Sequence, residues 1–163
     1  MRKIVIFGNS GSGKSTLAKE LCTKGNLVHL DLDTLAWAGD PITPVREELA
    51  KSKKVIDQFL AEHHGWVIEG CYSDLVSLVL AQATELYFLN PGVEACIENC
   101  KRRPWEPHKY ASLEQQNENL MMLIQWVREY ESRDDEFSLK SHRKIFDGFK
   151  GKKTEYHSND RHT

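Results

Sequence analysis

Residues 8–15 read Gly8-Asn9-Ser10-Gly11-Ser12-Gly13-Lys14-Ser15, with Thr16 next. The spacing GxxxxGK[ST] suits one chemistry, the cradling of a polyphosphate. A chain of phosphates needs several donors converging on it with no side chain in the way. Glycines let the backbone curl so that successive N–H groups of residues 8–13 point inward. A helix that starts at the phosphates adds its own unpaired N–H groups and the positive end of its dipole. Lys14 then places a full positive charge near the β- and γ-phosphates. The Ser15 hydroxyl is a hard oxygen ligand for magnesium, and Thr16 falls near the α-phosphate.

Two acids follow in Asp31-Leu32-Asp33. One carboxylate can orient magnesium, a role given to Asp31; the other can bind or deprotonate an acceptor hydroxyl, a role given to Asp33. Asp33 precedes Thr34-Leu35-Ala36 and can instead cap a helical turn. Glu69 ends a short apolar run with no second acid after it, and is read either as an acceptor-facing group or as a solvated strand end.

The cations cluster at Lys101-Arg102-Arg103, followed by the proline-bounded Pro104-Trp105-Glu106-Pro107. They can serve a helix C-terminus. They can also form a lid in which Arg102 or Arg103 closes over a γ-phosphate and excludes water. Arg46, Arg128 and Arg133 are further candidates to reach an acceptor, with an exposed surface position as the alternative. Trp37 lies just beyond Asp33 and is the tryptophan placed to face an acceptor.

These residues need elements to hold them. Ile4–Phe7 is a β-branched apolar run suited to a strand buried on both faces. Residues 14–24 follow as a helix with Leu17, Ala18, Leu21 and Cys22 on one face and Gly25 as its stop. Strands are expected at 27–32, 66–68 and 86–89, with an edge strand at 153–157. Helices are expected at 45–63, 74–82, 93–102, 113–132 and 137–149. A turn carrying two prolines is expected at 40–44, a loop at 103–111 and a frayed end at 158–163. Alternating strands and helices imply a parallel α/β sheet with right-handed crossovers, which puts the loop after the first strand and both aspartates at one sheet edge.

The 163 residues fit one domain, and 40% hydrophobic content is ordinary for a globular chain. The net charge of −2 gives no general drive toward nucleic acid or anionic membrane. No apolar run approaches the ~20 residues that span a bilayer, and the apolar run after Met1-Arg2-Lys3 is too short for a signal-peptide core, so a cytoplasmic protein is expected. Cys22, Cys71, Cys96 and Cys100 form no CxxC pair and read as buried small hydrophobes.

With these motifs the chain resembles the adenylate-kinase-like branch of P-loop proteins, which includes shikimate and gluconate kinases. The carriers are the strand, Walker A loop and helix of residues 4–24, Asp31-x-Asp33, Glu69-Gly70, and the basic helix end at 101–103. The resemblance implies a three-layer α/β/α sandwich whose five-stranded parallel sheet runs 2-3-1-4-5. It also implies a single domain over 1–163, with an acceptor-binding segment at 34–65 and a lid at 101–112. Closer still, His29 to Trp37, Pro44 to Glu48 and Trp66 to Tyr72 resemble the bacterial group labelled DNA topology modulation protein, in which the retained strand-end acid falls on Asp33. Shikimate kinases carry a glycine triplet after the third strand, where only Gly70 stands here. Adenylate kinases carry Asp-Gly-aromatic-Pro-Arg, and Glu69-Gly70-Cys71-Tyr72 lacks the Pro and the Arg.

Three functions compete. The first is a phosphotransferase using ATP and Mg2+ with an unidentified small-molecule or nucleotide acceptor. The second is an ATP-binding regulatory NTPase with no such acceptor. The third, a nucleic-acid-associated protein, needs a continuous basic stripe where the sequence offers a short patch at 101–103 and scattered cations near 140–153. Oligomeric state leaves no trace in the sequence.

Overall fold

In the computed structural model, which describes residues 1–40 and 43–161, the first apolar run becomes β1 (Lys3–Gly8) and the loop after it opens α1 (Lys14–Gly25). The chain continues through β2 (Val28–Asp31), β3 (Trp37–Asp40), β4 (Thr43–Arg46), α2 (Leu49–Glu62), β5 (Trp66–Gly70), α3 (Ser73–Ser77) and β6 (Glu85–Leu89). It ends with α4 (Val93–Arg102), α5 (Leu113–Arg128), α6 (Leu139–Gly148) and β7 (Lys152–Tyr156). The main sheet has five strands in the order β2-β5-β1-β6-β7. Every pairing in it is parallel. This is the expected 2-3-1-4-5 order, counting main-sheet strands alone.

The central strand explains the layering. Side chains alternate along a strand, so Val5 and Phe7 face one side of the sheet and Ile4 and Ile6 the other, all fully buried. On the first side Val5 and Phe7 join Trp66, Ile68, Leu86 and Phe88 under residues of α2, α3 and α6. Phe7 and Phe88 stack there at 4.8 Å between ring centroids. On the second side Ile4, Ile6, Val67 and Leu89 pack against Leu17 and Ala18 of α1. Helices α4 and α5 form a third apolar group through Cys96, Ile97, Cys100, Ile124 and Val127. All four cysteines are free thiols, and Cys71, Cys96 and Cys100 are buried.

One expected element is wrong. The helix placed at 45–63 begins only at Leu49, and Trp37–Asp40 and Thr43–Arg46 pair as two antiparallel strands, Trp37 opposite Arg46. Pro44 disfavours helix in the residue before it and lacks an N–H donor. Gly39 takes φ +87°, and its flanking Trp, Thr and Val favour strands. Pro41 and Ile42 of the expected turn, and His162 and Thr163 of the expected frayed end, lie outside the described residues. The segment 74–82 is a short helix and a separate 3-10 turn, and the long helix stops at Arg128 with a 3-10 turn after it.

A buried polar pin ties α6 to the end of β5. His142 is fully buried; its Nε2–H donates to the Cys71 carbonyl at 2.8 Å and its Nδ1 accepts from the Tyr130 hydroxyl at 2.7 Å. Burial pushes the imidazole down to about 4, since the charged form loses its water. The unfolded chain binds that proton near pH 6.5, so between pH 6.5 and 4 it binds more protons than the folded chain. The pin therefore contributes full stability above pH 6.5 and loses it as pH falls. The stability gap between the wild-type chain and His142→Gln, read from urea midpoints, should narrow by about 2–3 kcal/mol from pH 7.5 to pH 4.5.

Candidate active site

The loop after β1 is shaped by what surrounds it. A Cβ on Gly8 would sit 2.3 Å from the Leu89 carbonyl oxygen. Gly11, at φ +79°, would place one 2.4 Å from the Cys96 carbonyl oxygen and 2.7 Å from Cys100 Sγ. No side chain fits at either position, so the loop lies flush against β6 and α4. Its carbonyls are held from outside. Asn99 Nδ2 donates to the Gly11 carbonyl at 2.8 Å and Asn159 Nδ2 to the Ser12 carbonyl at 2.9 Å. Asn9, itself buried, donates from Nδ2 to the Val127 carbonyl at 3.3 Å and accepts the Ser10 amide at 2.8 Å. The amides of Lys14, Ser15 and Thr16 belong to the first turn of α1, where no intrahelical acceptor exists. Ser12 Oγ is buried with no hydrogen-bond partner. Lys14 Nζ donates to the Asn9 carbonyl at 2.6 Å, across the mouth of the loop. Thr16 is exposed on the same turn.

Sheet register brings the acids to this mouth. Glu69 pairs with Ile6 on one side and Asp31 on the other. It is 2% exposed, so the solvated strand-end reading does not hold. The Ser15 hydroxyl donates to Glu69 Oε2 at 2.8 Å. Burial, with Asp31 and Asp33 nearby, pushes this carboxyl up to about 7 against the pull of Lys14 and Ser15. Asp31 caps the 3-10 turn at 32–34 by accepting the Asp33 amide at 2.9 Å. Hence it is Asp31, and not Asp33, that serves as the cap.

Asp33 is held by two groups. The Tyr72 hydroxyl donates to its Oδ1, and Lys109 Nζ lies 2.7 Å from its Oδ2. Burial opposes ionisation of this carboxyl, but Lys109, Tyr72 and Lys14 outweigh it and hold the group below the usual carboxylate range. Lys109 also stands 3.4 Å from Glu106 and 3.8 Å from Asp31. Trp37 Nε1 donates to the Tyr72 oxygen at 2.8 Å, so β3, the end of β5 and the loop after α4 all meet at one carboxylate.

Of the other expected cations, Arg46, Arg103, Arg128 and Arg133 have partners of their own. Arg46 ends β4, where a helix start was expected. It bonds Asp74 at 3.0 Å and Glu136 at 2.8 Å, with its guanidinium 4.9 Å from the Tyr72 ring centroid. Arg133 bonds Asp135 at 3.0 Å and covers Trp126 at 4.7 Å. Arg103 pairs with Glu106 at 3.3 Å, and Arg102 is exposed on the last turn of α4. Arg128 pairs with Glu94 at 3.5 Å.

Similarity to known proteins bears on the framework. No protein-family model matches the chain, and no curated protein matches it. Among solved structures it resembles a gluconokinase from Sinorhizobium meliloti, with TM-score 0.52 and 19% identity over 78% of this chain and 73% of that one. It also resembles a sugar kinase from a Janibacter species, with TM-score 0.51 and 15% identity over 95% of this chain and 85% of that one. The fold is that of the P-loop kinases.

Within that fold Lys14, Ser15, Glu69, Asp31, Asp33, Tyr72 and Lys109 gather as one group of side chains at one edge of the sheet. Two of its members escaped the sequence. Tyr72 meets Asp33 across 39 positions, a pairing no local pattern reveals. Lys109 lies in a loop and meets Asp33 across a gap of 76 positions. No described helix is long and apolar enough to cross a membrane. The described residues hold no group of three or more His, Cys, Asp or Glu able to bind a metal. Hard oxygens from Ser15, Glu69 and Asp31 do fit a magnesium that arrives with its own phosphates and waters, the usual habit of that ion.

Removing the Lys109 ammonium leaves a half-buried carboxylate with Tyr72 alone. Lys109→Met should cost about 1–2 kcal/mol at pH 7, between the values for exposed and buried pairs. Asp33 is depressed, so the pair stabilises above the unfolded carboxylate range and fades as pH falls through the folded value. Urea denaturation at pH 7 and pH 3 should show a smaller cost at the second than at the first.

Proposed function

We propose that the protein is a MgATP-dependent phosphotransferase of the small-molecule kinase type. The observation that carries this is the meeting of the glycine loop, Lys14, the Ser15–Glu69 pair and Asp33 at one edge of a parallel sheet. In this reading the loop amides and the start of α1 bind the triphosphate, and Lys14 swings from the Asn9 carbonyl to the β- and γ-phosphate oxygens. Ser15 offers its oxygen to magnesium, with Glu69 and Asp31 orienting the metal's waters. A magnesium ion held beside Glu69 would favour its ionised carboxylate.

Phosphoryl transfer proceeds through a loose transition state, and positioning matters more than strong basicity. Asp33 suits that need. Its lowered proton affinity makes it a weak base but a firm hydrogen-bond acceptor for the acceptor hydroxyl, and Tyr72 fixes its orientation. Residues 101–112 form the lid, with Lys109 at the acceptor carboxylate and Arg102 or Arg103 toward the phosphates. The β3–β4 pair and the rest of 34–65 form the acceptor side. The kinases that resemble this chain support the assignment through the fold they share with it.

Calorimetry with ATP and magnesium tests the reading. Lys14→Ala should weaken ATP binding about 100-fold, the upper end for a charge-assisted contact, while the thermal midpoint stays within a few degrees of wild type. Equal affinities for the two proteins would remove the nucleotide site from the loop. Slow ATP hydrolysis that no small acceptor accelerates would favour the regulatory NTPase instead.

A further inference from the structure

The charges around Asp33 speak to the acceptor's identity, on the premise of the kinase reading above. An enzyme that recognises an anionic acceptor needs cations free to meet it. Among the described residues three cations contact Asp33 or the aromatic rings beside it, and each is already matched or outnumbered by acids. Arg46 is shared by Asp74 at 3.0 Å and Glu136 at 2.8 Å, its remaining Nε–H directed to the Ala36 carbonyl at 3.2 Å. Arg133 is bound by Asp135 at 3.0 Å and by the Trp126 carbonyl at 3.2 Å. Lys109 answers Asp33, Glu106 and Asp31 together.

Turning Arg46 or Arg133 toward an incoming anion would strand half-buried carboxylates and break guanidinium contacts with Tyr72, Trp126 and Phe137. Turning Lys109 away would leave Asp31 and Asp33 to repel the anion themselves, with Glu106 still held by Arg103. The surroundings of Asp33 therefore carry surplus negative charge. What the site offers is different. Asp33 accepts hydrogen bonds, and Trp37 is 44% exposed, its Nε1 tethered to Tyr72, with ring surface left to cover the C–H face of a ring.

We infer that the phosphoryl acceptor is a hydroxyl compound without negative charge, of the sugar, polyol or nucleoside class, and that phosphate- or carboxylate-bearing analogues are rejected. In the reaction, the acceptor oxygen forms a bond to the γ-phosphorus as the bond to the β-bridging oxygen breaks. The hydroxyl proton passes to Asp33 or solvent, and ADP leaves.

Matched acceptor pairs decide the matter. ADP release from MgATP is measured with glucose against gluconate, glycerol against glycerate, ribose against ribose 5-phosphate, and adenosine against AMP, while calorimetry follows ATP binding separately. The expected result is stimulation by an uncharged member with kcat/KM at least about tenfold above that of its anionic counterpart, as like-charge juxtaposition requires. In Asp74→Asn/Glu136→Gln, which releases Arg46, that preference should shrink. Stimulation by an anionic member equal to or above its partner, with ATP bound normally, overturns the inference and leaves the kinase reading standing. No stimulation by any uncharged member, with ATP bound, overturns it as well. Failure of ATP to bind sinks both.

Discussion

The site depends on the parallel register of three strands. β1 is flanked by β5, and β5 by β2, so Ile6, Glu69 and Asp31 fall side by side and the chain leaves the sheet at Gly8, Gly70 and Asp31 on one edge. Because every side chain along a strand alternates, a slip of one residue would turn Glu69 into the core and lift Ile68 to the Ser15 hydroxyl. The register is protected by burial: Val5, Phe7, Trp66 and Ile68 are all fully covered on one face. Packing thereby fixes where charge can stand.

That charge is distributed unevenly, and the imbalance organises the site. Glu69 is deep and short of cations, so its carboxyl is hard to ionise. Asp33 is only half-buried and has Lys109 and Tyr72, so its carboxyl stays ionised. At one edge, then, burial holds one carboxyl up to about 7 while a neighbouring one is held below the usual carboxylate range. The glycine loop adds no charge of its own beyond Lys14. Its contribution is geometric, since asparagines 9, 99 and 159 draw its carbonyls or its side chains outward.

Much of this was legible in the sequence where the information is local. The loop's glycines, Lys14 and Ser15 are fixed by spacing, and alternating strands and helices implied the sheet order. Asp33 was legible as an acid at a strand end. The strand pair Trp37–Asp40 and Thr43–Arg46 is less legible, because the helical period that follows runs back as far as Val45 while the pairing partner lies on the far side of Gly39 and Pro44. Glu69 was underrated because its value lies in burial beneath neighbouring strands, which a short apolar run does not reveal. Lys109 was invisible because its partner stands on another strand end, and the more obvious basic run at 101–103 drew attention away. The acids that neutralise Arg46 and Arg133, namely Asp74, Glu136 and Asp135, come from separate loops and helices, so local sequence does not reveal these pairings.

The most direct measurement is a crystal structure of the protein with magnesium and a non-hydrolysable ATP analogue. The account predicts β- and γ-phosphates lying over residues 8–15 within hydrogen-bond reach of Lys14 Nζ, and magnesium on the Ser15 hydroxyl oxygen with Glu69 behind it. A triphosphate bound elsewhere, with Lys14 still on the Asn9 carbonyl, would contradict it.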